Sequence, residues 1–374
     1  MLKRSTVPLF AAGLLSAALG FWPAAAGAAP LDDARSRVSS GDVNGAIAAL
    51  EPYVAANPGD RATAEYLGDL YFRASDWSGA ERVYSAILHT APDDKEVHDR
   101  LGNVYAAQDR VGPAIDQYQL SLPDAVGYAD LVRLHTRIGD LAQFVASYRS
   151  AADADTDDLG AQFAYGLILR DLHRPSEALP YAARAVSLAP QSCPAQSELG
   201  NVYLDLHQPL SASGAFRQCL AIDPNYYPAL VDLSSTYDPV ADARAARGLL
   251  QRAVALRPDR PEAFVNLGYV DDAGGNMASA MDNYRKALAR DVLCRDAYVD
   301  LGYDYQAQGQ FLQAESAYLK GLSVSPSDGR LEYLLGRTYA VQGKRDLARQ
   351  QFANAAKSDD REVATAASHV LTTY

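Results

Sequence analysis

Hydrophobic and small residues recur along this chain with a long, regular period. Six Leu-Gly pairs carry this period, and in five of them a tyrosine follows three residues after the glycine. The glycines of these pairs are Gly68, Gly102, Gly200, Gly268, Gly302 and Gly336. Several neighbours in this series are 34 residues apart, and Pro190, Pro224 and Pro258 keep the same interval. Because two residue types share one period, the pattern indicates a tandem repeat rather than coincidence.

Each repeat predicts two antiparallel helices joined by a turn. Glycine inside a helix costs about 1 kcal/mol relative to alanine, so its recurrence requires a packing reason. We expect Gly302 in a first helix to face the small Ala314 in the second, with aromatic residues such as Tyr318 filling the space beside them. Proline near the end of each repeat stops the second helix. The turns between paired helices are expected near Gly139, Gly274-Gly275, Gly309 and Gly343.

One segment, with Leu199, Gly200, Tyr203, Ala212, Phe216 and Pro224, shows the full pattern. In this order and spacing the residues resemble the tetratricopeptide repeat family, although the family's tryptophan is missing. The resemblance implies an all-α, right-handed solenoid of helix-turn-helix units, followed by a C-terminal capping helix over residues 363–374. Ten units fit: 27–60, 61–94, 95–124, 125–158, 159–192, 193–226, 227–260, 261–294, 295–328 and 329–362. Unit 95–124 is short, and unit 125–158 departs furthest from the pattern.

The first thirty residues have a different character. Lys3 and Arg4 precede an uncharged stretch over residues 7–22, and a run of alanine and glycine follows it. A charged start, an apolar segment and small residues are the layout of a secretory signal peptide, here 1–28, with cleavage expected after Ala28. The alternative is an uncleaved membrane anchor, because the whole uncharged stretch from Ser5 to Leu31 is nearly long enough to span a bilayer. We therefore expect an exported protein, either periplasmic or extracellular.

Charge and motif content narrow the possible functions. The formal net charge is −12, and loss of Lys3 and Arg4 with the leader would leave −14. Such a surface repels phosphate backbones, which argues against nucleic-acid partners. The repeats occupy the mature chain, and the six histidines show no metal-ligand spacing. We read the acidic pairs Asp157-Asp158 and Asp271-Asp272 as solvated helix ends. The sequence therefore predicts a non-catalytic protein without a metal or cofactor.

The three cysteines leave one pairing open. Cys193 and Cys219 fall in the same unit, one near the start of the first helix and the other in the second. In an antiparallel hairpin these positions are neighbours, and an oxidising compartment would allow a disulfide. Other units carry small core residues where Cys219 lies, so the sequence favours a buried thiol over the bond. Cys294 is expected to pair with neither.

The resemblance also predicts where a partner would bind. In this family the first helices line a concave wall that holds extended peptides, and the ninth residue of each unit points inward. Two asparagines and several aromatic residues are candidates for the inner wall: Asn103, Asn201, Tyr269, Tyr303, Tyr333 and Phe163. Amides can pair with a peptide backbone, and exposed aromatic rings often anchor partners. The opposing interpretations are an ordinary polar face and the general abundance of tyrosine.

One specialised ligand is not expected. Family members that hold acidic peptide termini use a lysine-asparagine clamp, whereas Asp99 and Ser197 stand here beside Asn103 and Asn201. The leading hypothesis is a scaffold of the cell envelope that binds protein or peptide partners. The alternatives are a subunit that presents substrate to an envelope enzyme or a secretion or polysaccharide complex, and a saccharide-binding solenoid.

Overall fold

The computed structural model describes residues 28–39, 41–123, 125–358 and 360–373. These residues form 21 α-helices and contain no strand. The signal peptide predicted for residues 1–28 lies outside the described part of the chain, apart from Ala28, where the first helix begins. The helices are α1 Ala28–Ser39, α2 Val43–Ala56, α3 Arg61–Arg73, α4 Trp77–Thr90, α5 Lys95–Ala107, α6 Val111–Ser121, α7 Ala125–Ile138, α8 Leu141–Ala154, α9 Leu159–Asp171, α10 Pro175–Leu188, α11 Cys193–Asp205, α12 Pro209–Ile222, α13 Tyr227–Ser235, α14 Ala243–Leu256, α15 Glu262–Ala273, α16 Met277–Arg290, α17 Arg295–Ala307, α18 Phe311–Val324, α19 Gly329–Val341, α20 Arg345–Ala355 and α21 Arg361–Thr373.

The helices form an all-α repeat solenoid. Nearly every odd-numbered helix packs chiefly against the even-numbered helix that follows it, and each hairpin then packs on the next. First helices of successive units also contact one another, as α15 does with α17 and α17 with α19, so they lie on the inner side of the curve. The divergent unit is the exception, because α7 packs more on α6 and α9 than on its own partner α8.

Side-chain caps start many of the first helices. Asp60, Asp94, Asp158 and Asp328 each accept a hydrogen bond from the backbone N–H three residues later, and Ser192 does the same. A cap of this kind contributes about 1 kcal/mol to the stability of a helix. In four of these five units the capping residue follows the recurrent proline by two positions. The proline therefore ends one unit immediately before the next helix is capped.

The predicted turns within the hairpins are confirmed. Gly139, Gly275, Gly309 and Gly343 have φ angles of 83°, 77°, 73° and 74°, in the left-handed region that glycine adopts without a steric penalty. Other units make the same turn with a side chain at the corresponding position. These residues are Ser75, Asp109, His173 and His207, with φ angles of 55° to 59°.

The recurrent glycine lies beneath the ring of an aromatic residue in the second helix. A Cβ atom built on Gly302 would lie 2.7 Å from Cδ1 and 2.8 Å from Cζ of Tyr318, the ring expected beside it. The same holds for Gly102 beneath Tyr118 and Gly200 beneath Phe216, each with a ring carbon 2.5 Å from the added atom. The glycine therefore makes room for an aromatic ring that lies directly on the backbone of the first helix.

The solenoid also turns back on itself. Val292 is fully buried within the core cluster of the N-terminal helices, whose other buried members fall between residues 34 and 104. Arg73 Nη1 donates to Tyr298 Oη at 3.1 Å, and Arg260 Nη1 lies 3.1 Å from Glu96 Oε1. We call this contact between residues 30–104 and residues 257–324 the closure. It joins segments that are some two hundred residues apart in the sequence.

The unit formed by α11 and α12 contains a disulfide. Cys193 and Cys219 are bonded, with their Cα atoms 4.3 Å apart, and both side chains are buried. The expectation of burial was correct, but the preference for a free thiol at Cys219 was wrong, because the two helices approach closely enough for the bond. Cys294 is free and half-buried, as expected.

Candidate partner-binding groove

Asn103 has a structural role that the sequence did not reveal. Its Oδ1 accepts a hydrogen bond from Tyr118 Oη at 3.1 Å, and its Nδ2 lies 3.2 Å from the carbonyl oxygen of Asp99 and 3.3 Å from Asp130 Oδ2. Both ends of the amide are therefore used to connect α5 with α6 and α7. The sequence indicated Asn103 only as a candidate for the inner wall, or as part of an ordinary polar face, and not as a link between helices.

Asn103 also lines a cavity at the closure. This cavity has a volume of about 440 Å³ and is bordered by Asp69, Arg100, Arg260 and Asp291. Arg100 forms an ion pair with Asp69, and burial raises the pKa of Asp291 to about 6. The inner wall of the N-terminal units is thus occupied in part by the chain's own C-terminal half.

Asn201 is likewise engaged. It is half-buried on α11, and its side chain hydrogen-bonds to Asp232 on α13 of the next unit. Burial raises the pKa of Asp232 to about 6, while the hydrogen bond from Asn201 acts in the opposite direction. The amide therefore connects two neighbouring first helices, a connection that no pattern in the sequence indicates.

Two of the predicted aromatic residues are open to solvent. Tyr269 on α15 is 57% exposed and Tyr303 on α17 is 53% exposed. They occupy the same place in two successive units, on helices that contact each other. A large side chain held on a rigid helix and left half in solvent is suited to serve as an anchor for a partner.

The side chains of the other two aromatic candidates pack against the core of the solenoid. Tyr333 is half-buried, with its ring centroid 5.7 Å from that of Phe352 in a tilted arrangement. Phe163 is also half-buried and packs against a cluster that includes Tyr128 and Leu167. The six candidates are therefore not brought together, and only Tyr269 and Tyr303 form an exposed pair.

Three carboxyl groups lie on the same two helices as this tyrosine pair. Asp304 on α17 is 1% exposed, and its carboxyl group contacts that of Asp272 on α15. Burial, together with the negative charges of Asp272 and Asp300, raises the pKa of Asp304 to about 7. Burial also raises the pKa of Asp300 to about 6, with Asp296 and Asp272 adding to the effect. We call Asp272, Asp300 and Asp304 the acidic cluster.

This cluster was not predicted from the sequence, where Asp272 was paired only with Asp271. The interpretation of Asp271 as a solvated helix end was wrong, because its buried carboxylate accepts from Arg247 at 2.5 Å and from Asn283 at 2.9 Å. Asp300 and Asp304 stand three residues before and one residue after Tyr303, so they share its part of the helix. Acidic residues flanking an exposed aromatic on a first helix were the available signal.

Two features are absent from the described residues. Over the described ranges, no group of three or more His, Cys, Asp or Glu side chains is arranged to bind a metal ion. Among the same residues, no helix is both long enough and apolar enough to cross a membrane.

Comparison with known proteins agrees with the repeated helical hairpins described above. The sequence pattern described as Tetratricopeptide repeat matches residues 31–95, 66–130, 240–291 and 299–366, which together exceed half of the chain. No curated protein matches the chain.

Solved structures with the same kind of fold also match. The match to a chain of the APC/C hetero-tetramer Cut9–Hcn1 spans 92% of this chain and 89% of that chain, with 13% sequence identity and a TM-score of 0.51. At this level of identity the match is evidence for the fold alone. Two crystal structures of MamA are 26% and 27% identical over 46% and 44% of this chain, and over 94% and 97% of their own, with TM-scores of 0.36 and 0.37. From the repeats, the helical hairpins and the family match, the chain belongs to the tetratricopeptide repeat family.

Proposed function

We propose that the protein is a non-catalytic scaffold that binds an extended segment of a partner protein along the first helices of its C-terminal units. Proteins of this family are typically non-catalytic scaffolds that bind other proteins. The observation that carries the proposal is the exposure of Tyr269 and Tyr303 on two helices that contact each other. Neither ring is needed to fill the core, so their shared position favours an external ligand.

The N-terminal part of the inner wall is not proposed as the binding site. Asn103 and Asn201 use their amides within the fold, and the closure occupies the wall near Asn103. The proposed groove therefore begins at α15 and continues over α17 toward α19. We also propose that the protein acts outside the cytoplasm, because residues 1–28 have the layout of a signal peptide.

Site-specific photo-crosslinking tests this proposal. A benzophenone amino acid at position 303 would lie in the groove, and the same probe at position 210 is the control, since Leu210 on α12 is 90% exposed. Irradiation in the native cells should join position 303, and not position 210, to a defined partner segment that mass spectrometry identifies. Equal labelling from both positions would contradict a groove over α15 and α17. Recovery of glycan at position 303 would instead support the saccharide-binding alternative.

A further inference from the structure

The acidic cluster and the exposed tyrosines form one surface. Tyr269 and Asp272 are three residues apart on α15, and Asp300 and Tyr303 are three residues apart on α17. Residues with this spacing are neighbours on a helix surface. Asp272 reaches the carboxyl group of Asp304, so the two helices that carry the rings also bring their carboxyl groups together.

The carboxyl groups of this surface outnumber the cations that act on them. Arg295 is already bound by Asp328 at 2.7 Å and by Asp296 at 2.6 Å, and Arg330 is the other cation that acts on Asp300. Asp304 is almost fully buried, yet its Oδ2 receives no hydrogen bond from the part of the chain that the structure describes. The carboxyl group of Asp272 lies beside it, and two carboxyl groups hydrogen-bond only by sharing a proton.

A buried carboxylate without a donor is costly, and a cation from outside would relieve that cost. The cluster is not arranged to hold a metal ion. Its carboxyl groups instead extend over two helices, which suits cationic side chains spaced along an extended chain. The flanking rings favour the same ligand, because the face of a tyrosine ring attracts ammonium and guanidinium groups.

The geometry points to a basic partner segment: an extended stretch with lysine or arginine side chains, which bind Asp272 and Asp300 while its backbone lies across Tyr269 and Tyr303. This assignment rests on the proposed function and specifies the chemistry of the partner. It also agrees with the net charge of −12, since long-range attraction would draw a basic segment toward the chain.

A direct binding measurement tests the assignment. The full chain is titrated with a fluorescein-labelled octapeptide of alternating lysine and glycine, and with the matching glutamate peptide, while fluorescence anisotropy is followed. The lysine peptide should bind and the glutamate peptide should not. The double variant Asp272→Asn and Asp300→Asn keeps the side-chain shape and removes two charges. It should weaken binding of the lysine peptide roughly five- to thirtyfold.

The matched control changes the same net charge elsewhere. Asp116 on α6 and Asp282 on α16 are both exposed on second helices. Asp116→Asn with Asp282→Asn should alter the affinity less than twofold. Tyr303→Lys is a second groove variant that does not disturb the core, because the side chain is already half in solvent. It should reduce binding of the lysine peptide at least tenfold.

Three results would overturn the assignment. The first is equal binding of the lysine and glutamate peptides, and the second is an equal loss of affinity in the groove and control double variants. A partner segment cross-linked at position 303 that contains no lysine or arginine would also refute the basic-segment assignment, while leaving the scaffold function standing. Failure of the scaffold itself is recognised separately, by equal labelling at positions 303 and 210.

Discussion

Replacement of Gly302 by alanine tests the contact that defines each hairpin. The added Cβ would lie 2.7 and 2.8 Å from two ring carbons of Tyr318, well inside ordinary van der Waals distance. The ring has little room to withdraw, because Tyr318 is fully buried and its hydroxyl lies 3.2 Å from Gln306 Oε1. Overpacking of this kind costs about 1 to 3 kcal/mol, while the better helix propensity of alanine offsets about 1 kcal/mol. The net loss of unfolding free energy should therefore reach up to about 2 kcal/mol, and more for Gly302→Leu.

Gly248→Ala is the matched control. Gly248 also lies within a helix, α14, but it is exposed and an added Cβ would meet no atom within 4 Å. The control should gain about 0.5 to 1 kcal/mol from helix propensity alone. Urea unfolding measures both variants, and their free energies should differ by about 1 to 3 kcal/mol, the overpacking cost. If Gly302→Ala were as stabilising as Gly248→Ala, the ring could not be pressed against the glycine.

Hydrogen exchange locates the loss of local stability in the Gly302→Ala variant. Stability in a repeat array depends mainly on contacts between neighbouring units. Protection in the Gly302→Ala variant should therefore fall in α17, α18 and the helices packed against them. The helices α9 to α12, several units away along the array, should keep their protection. Uniform loosening of every described helix would contradict this reasoning.

Three further predictions concern pH, the closure and export. Burial beside Asp272 and Asp300 raises the pKa of Asp304 to about 7, so the fold favours the protonated carboxyl group. Its contribution to the free energy of unfolding is therefore complete below about pH 4 and is lost as the pH rises through 7. Urea unfolding should show that stability falls between pH 5 and pH 8 by about 1 to 2 kcal/mol less in Asp304→Asn than in the unchanged protein. A fall remains in the variant because the pKa values of Asp232, Asp291 and Asp300 are also raised, and an equal fall in both proteins would refute the role of Asp304. Val292→Asp should open the closure and raise the radius of gyration in small-angle X-ray scattering, whereas Val240→Asp, at a site 65% exposed, should not. N-terminal sequencing of the mature protein should begin at or near Ala29, and intact Met1 in washed membranes would establish the anchor instead.

The repeated hairpin could be predicted from the sequence because most units carry the same local pattern of helix and turn residues. The period of the Leu-Gly pairs indicated the helices, and glycine at positions such as 309 and 343 indicated the turns. The pattern also placed Tyr318 beside Gly302, but it did not show that the ring lies directly on the glycine. A side chain in a helix leans toward the N-terminus of that helix, so the ring of Tyr318 covers the level of Ala314. Spacing alone does not convey this direction.

Contacts between distant units could not be predicted in the same way. Arg73 and Tyr298 belong to units of ordinary pattern, and nothing periodic indicates that they meet. The burial of Asp304 likewise depends on the adjacent helix α15, which supplies Asp272. Asn103 resembled a free groove residue because its hydrogen-bond partner, Tyr118, occupies a place that carries a core aromatic in most units. The contact of Arg73 with Tyr298 and the burial of Asp304 depend on how the units are stacked, and not on any single unit.

The closure also has a mechanical consequence. An open array of hairpins extends under tension like a spring, since each unit touches only the units beside it. In this chain Val292, Tyr298 and Arg260 bind one end of the array to a point several units away. A pulling force on the two ends would reach this link before it stretched the intervening hairpins. The array should therefore resist small loads as a rigid body, yield in one abrupt step, and only then lengthen gradually.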